Sequence, residues 1–289
     1  MTEDGIKVRR YGATGPVVAL LHGGPGAPGH MAPIARELSP KYRVIEPLQR
    51  VRGAKPLTVA THIRDLHDVL TFFAQESVHL VGSSWGAMLA LAYAAEHQKQ
   101  VRSVVAIGCG TFDVRARDLY KHRLNARLDA TLKVRIERLD HEGLDDDEVL
   151  HRRAELLLPA YSHDLITTEL EHTAVGARAN KETWSDMLQL QARSVYPQSF
   201  ARIKAPVLML HGALDPHPGP EIRASLAPYI RHLEYQDWPD CGHYPWLERS
   251  TRDMFYERLT SWFWTISAAE ARASIDAAIT GQSDGAPST

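Results

Sequence analysis

The sequence predicts an α/β protein: a mostly parallel, doubly wound sheet carrying an inserted helical cap. Two patterns in the 289 residues support this. Short, near-continuous apolar runs alternate with segments of helical periodicity, the signature of strands buried on both faces of a parallel sheet. That alternation stops at about Thr111 and resumes near Pro197, and the interval shows no strand signal and carries helical runs.

The predicted strands come in order as VVALLHG (17–23), YRVIEPL (42–48), SVHLVGS (77–83), VRSVVAIG (101–108) and PVLMLHG (206–212), with a further strand at 231–236. Between them, Ile63, Leu66, Val69, Leu70 and Phe73 recur at helical spacing over 58–74, with Thr58 or Thr61 as the cap. Residues 85–97, WGAMLALAYAAEH, read as a small-residue helix. Strand, helix and strand in series place helices on both faces of an open sheet. In the interval, helical runs are expected at 116–139, 145–157 and 181–193; DDDEVLHRRAELLL opens with acids, as a helix N-terminus favours. A helix from about Pro220 to Ala227 and an amphipathic helix at 249–264 follow the fifth strand, and the tail GQSDGAPST has a disordered composition. The expected organisation is a first core part at 1–110, a cap at 111–196, a second core part at 197–267 and a helical or disordered tail at 268–289.

Lys plus Arg number 33 and Asp plus Glu 35, a net charge of −2, so no global field draws the chain to nucleic acid or an anionic membrane. The N-terminus lacks the apolar stretch of a secretory signal, and no window reaches the ~20 apolar residues of a membrane span. Cys109 and Cys241 form neither a disulfide framework nor a metal-spaced cluster, and a reducing cytoplasm is the expected compartment. One late-formed bridge between them stays open.

GSSWG, residues 82–86, fits the frame G-x-S-x-G only with Ser84 at its centre, because Val81 and Trp85 stand where Ser83 would need glycine. A nucleophile on a tight strand-to-helix turn crowds the residues two before and two after, and glycine removes the clashing Cβ. The turn lifts the Ser84 hydroxyl from the sheet over a helix N-terminus, where the Trp85 N–H can stabilise an oxyanion. LLHGGPGAPGHM (20–31) follows an earlier strand and belongs to the same edge; Gly24, or failing that Gly23, is the second candidate donor. Its spacing matches neither phosphate-binding glycine motif. His22 reads as the structural support of that loop. Asp215, just past a strand end, is the candidate acid, and His243, in the loop before the C-terminal helix, is the candidate base. His217 shares a loop with the acid and has no independent approach to Ser84; Asp240 is a rival acid too close in sequence to His243; His211 reads as packing.

HGGPG (22–26), GSSWG (82–86), HGALD (211–215) and CGHYPWLE (241–248) together resemble the proline iminopeptidase branch of the α/β-hydrolase superfamily, over about 5–110 and 197–266. The resemblance implies the α/β-hydrolase fold, with Ser84 as nucleophile, Asp215 as acid, His243 as base, and Gly24 and Trp85 as oxyanion donors. Of that branch's DQRG-x-G-x-S loop, only Gln49 and Arg50 are present in EPLQRVRGAK. The acids with which the branch holds a substrate amine have no alignable counterpart; Asp164, Glu169, Glu171 and Glu182 are available.

The expected function is hydrolysis of a small ester, lactone or amide through an acyl-enzyme. A proline-releasing aminopeptidase is the alternative, and a C–C bond hydrolase or biosynthetic cyclase on the same triad a further one. A non-catalytic binding module is the contrasting class, disfavoured by the complete triad. No cofactor or metal is implied, and the partner is a small-molecule or short-peptide substrate. Trp85, Trp184, Tyr161 and Trp246 are candidate pocket aromatics.

Overall fold

A computed structural model describes residues 6–27, 29–74, 76–171 and 175–282. Among the described residues, seven strands form one sheet in the order β1-β3-β2-β4-β5-β6-β7. They are β1 (Val8–Tyr11), β2 (Val17–Leu21), β3 (Arg43–Pro47), β4 (Val78–Ser83), β5 (Val101–Ile107), β6 (Val207–Gly212) and β7 (Leu233–Trp238). β1 runs antiparallel to β3, and every other pairing is parallel.

The sheet divides the core in two by the period-2 alternation of its strands. Val17, Ala19 and Leu21 of β2 face one apolar cluster, while Val18 and Leu20 face the other; Val104 and Ala106 of β5 oppose Val105 and Ile107 in the same way. On the first face lie α2 (Val59–Phe73) and α3 (Trp85–Glu96). On the second lie α1 (Ala32–Leu38) and the long helix α9 (Arg252–Gln282), which contributes Phe255, Leu259, Trp262 and Phe263. α3 is buried almost all round, and its run of alanines lets it lie close against the sheet.

Among the described residues, four α-helices and a short 3-10 turn (Gln198–Arg202) separate β5 from β6 in the chain: α4 (Val114–Ala126), α5 (Ala130–Leu139), α6 (Asp146–Tyr161) and α7 (Ala177–Ala192). α8 (Gly219–Leu226) joins β6 to β7.

Several expectations need correction. The run 116–139 is two helices, because Asp129 caps α5 by accepting the Leu132 N–H at 2.7 Å and so restarts the chain. Helix α9 continues far past residue 264 and takes in Gly281 and Gln282 of the tail; the remainder of the tail, 283–289, lies outside the described residues. Strand β1 and helix α1 had no sequence signal. VRRY is a half-buried edge strand whose arginines break the apolar run, and α1 spans only seven residues behind the glycine loop. Cys109 and Cys241 are both free and belong to opposite faces of the sheet.

Candidate active site

Ser84 sits between β4 and α3 with φ 55° and ψ −116°. This left-handed backbone costs a non-glycine residue about 1–3 kcal/mol, and it persists because the surroundings over-determine it. A Cβ on Gly82 would lie 2.2 Å from the Gly86 carbonyl oxygen, and one on Gly86 would lie 2.0 Å from that of Leu21. Strand, turn and helix therefore meet at a distance that only glycine permits. The Ser84 N–H is anchored to the Ile107 carbonyl at 2.8 Å, which ties the turn to the end of β5. Ser83 is buried, with its hydroxyl unpartnered.

The glycine loop after β2 reaches the same point. A Cβ on Gly23 would stand 3.1 Å from the Cβ of Ser84. His22 holds this loop through both ring nitrogens. The Gln49 N–H donates to its Nε2 at 2.9 Å, so the ring proton is on Nδ1 and is donated to the Gly23 carbonyl at 2.8 Å. Gln49 in turn donates to the His22 carbonyl and accepts from the Trp85 indole at 2.7 Å. Burial pushes the His22 imidazole down to about 4, which keeps it neutral and fixes that tautomer. His22 is thus structural, as expected from its position. The Gly23 N–H points to His30 Nε2 at a long 3.4 Å. Among the described residues, the N–H groups of Gly24 and Trp85 meet no protein acceptor. A small cavity lined by Leu21, Gln49, His62, Asp65 and Leu89 lies under this network; Ser84, Asp215 and His243 do not line it.

Asp215 follows β6 and His243 follows β7, so both loops rise at the carboxyl edge that carries Ser84. His243 Nδ1 donates to Asp215 Oδ2 at 2.6 Å, with both side chains buried. This leaves Nε2 as the free base of the ring. Burial opposes the charge on Asp215, but the imidazoles of His243 and His217 outweigh it and hold the carboxyl well below its usual range. The His243 N–H donates to the Tyr161 carbonyl at 2.7 Å, and Tyr161 and Tyr244 set their rings edge-on to the imidazole. Gly108 (φ 52°) closes the site beneath: a Cβ there would lie 2.8 Å from the His243 ring and 3.2 Å from Asp215 Oδ2. Among the described residues the Ser84 hydroxyl makes no hydrogen bond to protein, and Ser84 keeps partial exposure.

Two of the residues set aside in the sequence fall where expected. Asp240 is exposed, and His211 is wholly buried with both ring nitrogens unpartnered. His217, set aside as the base because it shares a loop with the acid, is folded onto that acid, donating from Nδ1 to Asp215 Oδ1 at 3.0 Å, with its backbone N–H on the same oxygen at 2.9 Å. Gly108 and Tyr120 are site residues the sequence did not mark, and His217 was weighed only as a base. The glycine before Cys109 was a visible signal; for Tyr120, in mid-helix, there was none.

The inserted helices reach the site from above. From α7, Asn180 donates to the Pro25 carbonyl at 2.7 Å and the Trp184 indole to that of Gly24 at 3.3 Å. From α4, Tyr120 stacks on His217 at 4.4 Å and meets the Tyr161 hydroxyl at 2.5 Å. Trp85 and Trp246 are fully buried, whereas Trp184 and Tyr161 are partly exposed. The four candidate amine-binding acids are committed elsewhere or lie outside. Glu182 accepts the Leu57 N–H and pairs with Arg178, Glu171 pairs with Arg36, Asp164 accepts from Ser250, and Glu169 is exposed. Arg50, of the loop after β3, forms a two-pronged pair with Asp65 at 2.6 and 2.8 Å.

A mostly parallel sheet, with a strained serine at the carboxyl end of a central strand and a buried Asp–His pair at the same edge, is the arrangement of an α/β fold. The profile of the alpha/beta hydrolase family matches residues 18–255, and the chain belongs to that family. The chain is similar to the proline iminopeptidase of Lactobacillus helveticus (strain DPC 4571), 23% identical over 267 residues, covering 86% of this chain and 89% of the relative. In fold it resembles a proline iminopeptidase from Mycobacterium smegmatis, with TM-score 0.61 and 19% identity over 91% of this chain and 95% of that one. An esterase from Exiguobacterium antarcticum is as similar, with TM-score 0.61 and 19% identity over 90% and 97%. The protein is a hydrolytic enzyme, and no helix among the described residues is long and apolar enough to cross a membrane.

Proposed function

We propose that the protein is a serine hydrolase that cleaves a small ester, lactone or amide through an acyl-enzyme. The observation that carries this reading is the buried 2.6 Å hydrogen bond from His243 to Asp215, at the same sheet edge as the positive-φ turn of Ser84. Ser84 attacks the substrate carbonyl. His243 Nε2 takes the serine proton and returns it to the leaving group, while Asp215 holds the imidazole in the Nδ1–H tautomer. The N–H groups of Trp85 and Gly24 receive the oxyanion; losing one such donor costs roughly 10²–10³ in rate. Helices α4–α7, within 111–196, act as the cap over this site. Free buried thiols suit a reducing cytoplasm.

The commitments of Glu182, Glu171 and Asp164 favour a substrate without a free amine, and the Tyr161 and Tyr244 rings set against the His243 imidazole suit a neutral acyl group. The second reading, a proline-releasing aminopeptidase, is favoured by the names of the relatives. Turnover of p-nitrophenyl butyrate set against prolyl-β-naphthylamide separates the two. Ester turnover in excess is expected; dominant amide turnover that disappears when the substrate amine is blocked would reverse the choice. A fluorophosphonate probe should label Ser84, and folded protein that stays unlabelled would refute the serine mechanism.

A further inference from the structure

The Asp215 carboxylate is shared by two imidazoles. Oδ2 accepts from His243 Nδ1 at 2.6 Å and Oδ1 from His217 Nδ1 at 3.0 Å. The two rings lie 5.0 Å apart and 27° from parallel. An ionised carboxylate only accepts, so His217 must carry its proton on Nδ1. One backbone N–H, that of His217, also reaches Oδ1, at 2.9 Å, but the imidazole supplies the side-chain donor on that oxygen. On its outer face His217 stacks on Tyr120 of α4 at 4.4 Å, and the Tyr120 hydroxyl is bonded to that of Tyr161 of α6. The inserted helices thus touch the acid loop through this ring.

We propose that His217 is a positioning residue for the hydrolytic reaction: its Nδ1–H fixes the Asp215 carboxylate in the orientation that serves His243 and draws off part of its charge. This rests on the roles proposed above for Ser84, Asp215 and His243. During acylation the proton passes from Ser84 to His243, Asp215 stays ionised, and His217 stays neutral with its proton in place. A carboxylate relieved by a second donor attracts the His243 imidazolium less strongly. The groups facing His217 are Asp215 on its own loop, His243, His211 of β6, Tyr120 and Tyr161. Nearby cations among the described residues are Arg127, which donates to the carbonyls of Leu214 and Ala160, and Arg123, whose charge reaches His211. Burial, ahead of the opposing pull of Asp215, keeps the His217 imidazole below its ordinary value, consistent with a neutral donor.

Two substitutions separate the donor from the ring. His217→Phe keeps a ring to stack on Tyr120 but removes the Nδ1–H. His217→Asn removes the ring and keeps an N–H donor at the δ position. With an ester turned over by the wild type, His217→Phe should lower kcat about 10- to 100-fold, with KM little changed, as expected for losing one hydrogen bond to a charged group. The acid limb of its kcat/KM profile should move to higher pH. His217→Asn should stay within a few-fold of wild type. Wild-type kcat and pH profile in His217→Phe, or equal losses in both variants at unchanged thermal midpoints, would overturn the proposal; equal losses would assign the effect to packing. Ser84→Ala, measured alongside, tests the underlying reading separately. If it retains turnover, the serine mechanism fails; if it is inactive while His217→Phe is normal, only the role of His217 fails.

Discussion

The two serines of GSSWG differ by one position in the chain and sharply in their surroundings. Ser84 holds the strained turn and keeps partial exposure, whereas the Ser83 hydroxyl is buried without a partner. Ser84→Ala should reduce ester turnover to background. Ser83→Ala removes an unsatisfied polar group and should leave kcat intact, with stability unchanged or raised by up to about 1 kcal/mol, read from urea unfolding. Gly108 presents the opposite case, a residue with no side chain that the site depends on. Gly108→Ala forces a methyl against the His243 ring at 2.8 Å, and misplacing a catalytic group by about 1 Å costs on the order of 10² in rate. Steady-state kinetics should show that loss in kcat. Ser84, Asp215 and His243 were legible in the sequence because glycine spacing and strand-end position mark them. The contact of His217 with the acid was not, because His217 was weighed only as a base and set aside for lacking an independent approach to Ser84. In the fold, sharing a loop with the acid lets the ring turn back onto the free oxygen of Asp215.

At the scale of elements, the central strands were legible because each is buried on both faces and so reads as an apolar run. β1 was not: it is an edge strand whose Arg9 pairs with the buried Glu46 of β3 at 2.7 Å, a contact between residues 37 apart. The joint between the inserted helices and the rest of the chain was equally hidden. Glu248, fully buried, accepts the N–H groups of His163 and Asp164 just after α6, at 2.6 to 3.2 Å. The same stretch gives the Tyr161 carbonyl to the His243 N–H. Glu248→Ala should leave those amides unsatisfied, costing about 2–4 kcal/mol by urea unfolding, and should lower kcat because the His243 loop loses its support.

Across the whole molecule, the buried histidines set the acid limit of the fold. Desolvation brings His22, His62 and His211 down to about 4 and His79 to about 3, from 6.5. The folded state therefore favours the neutral rings, while the unfolded chain takes up protons below about 6.5. Stability from these groups is complete above that pH and is lost as pH falls through the interval toward 4. The urea midpoint should be flat from pH 8 to 7 and fall steadily between 6.5 and 4; a midpoint constant over that range would contradict the neutral burial of these rings.

The same four rings give unfolding a second observable. At pH 5 each is largely neutral in the folded chain and largely protonated in the unfolded one, so denaturation is also the uptake of about three to four protons. The calorimetric enthalpy of unfolding at that pH should then depend on the ionisation heat of the buffer, with acetate and an amine buffer giving different values for the same transition.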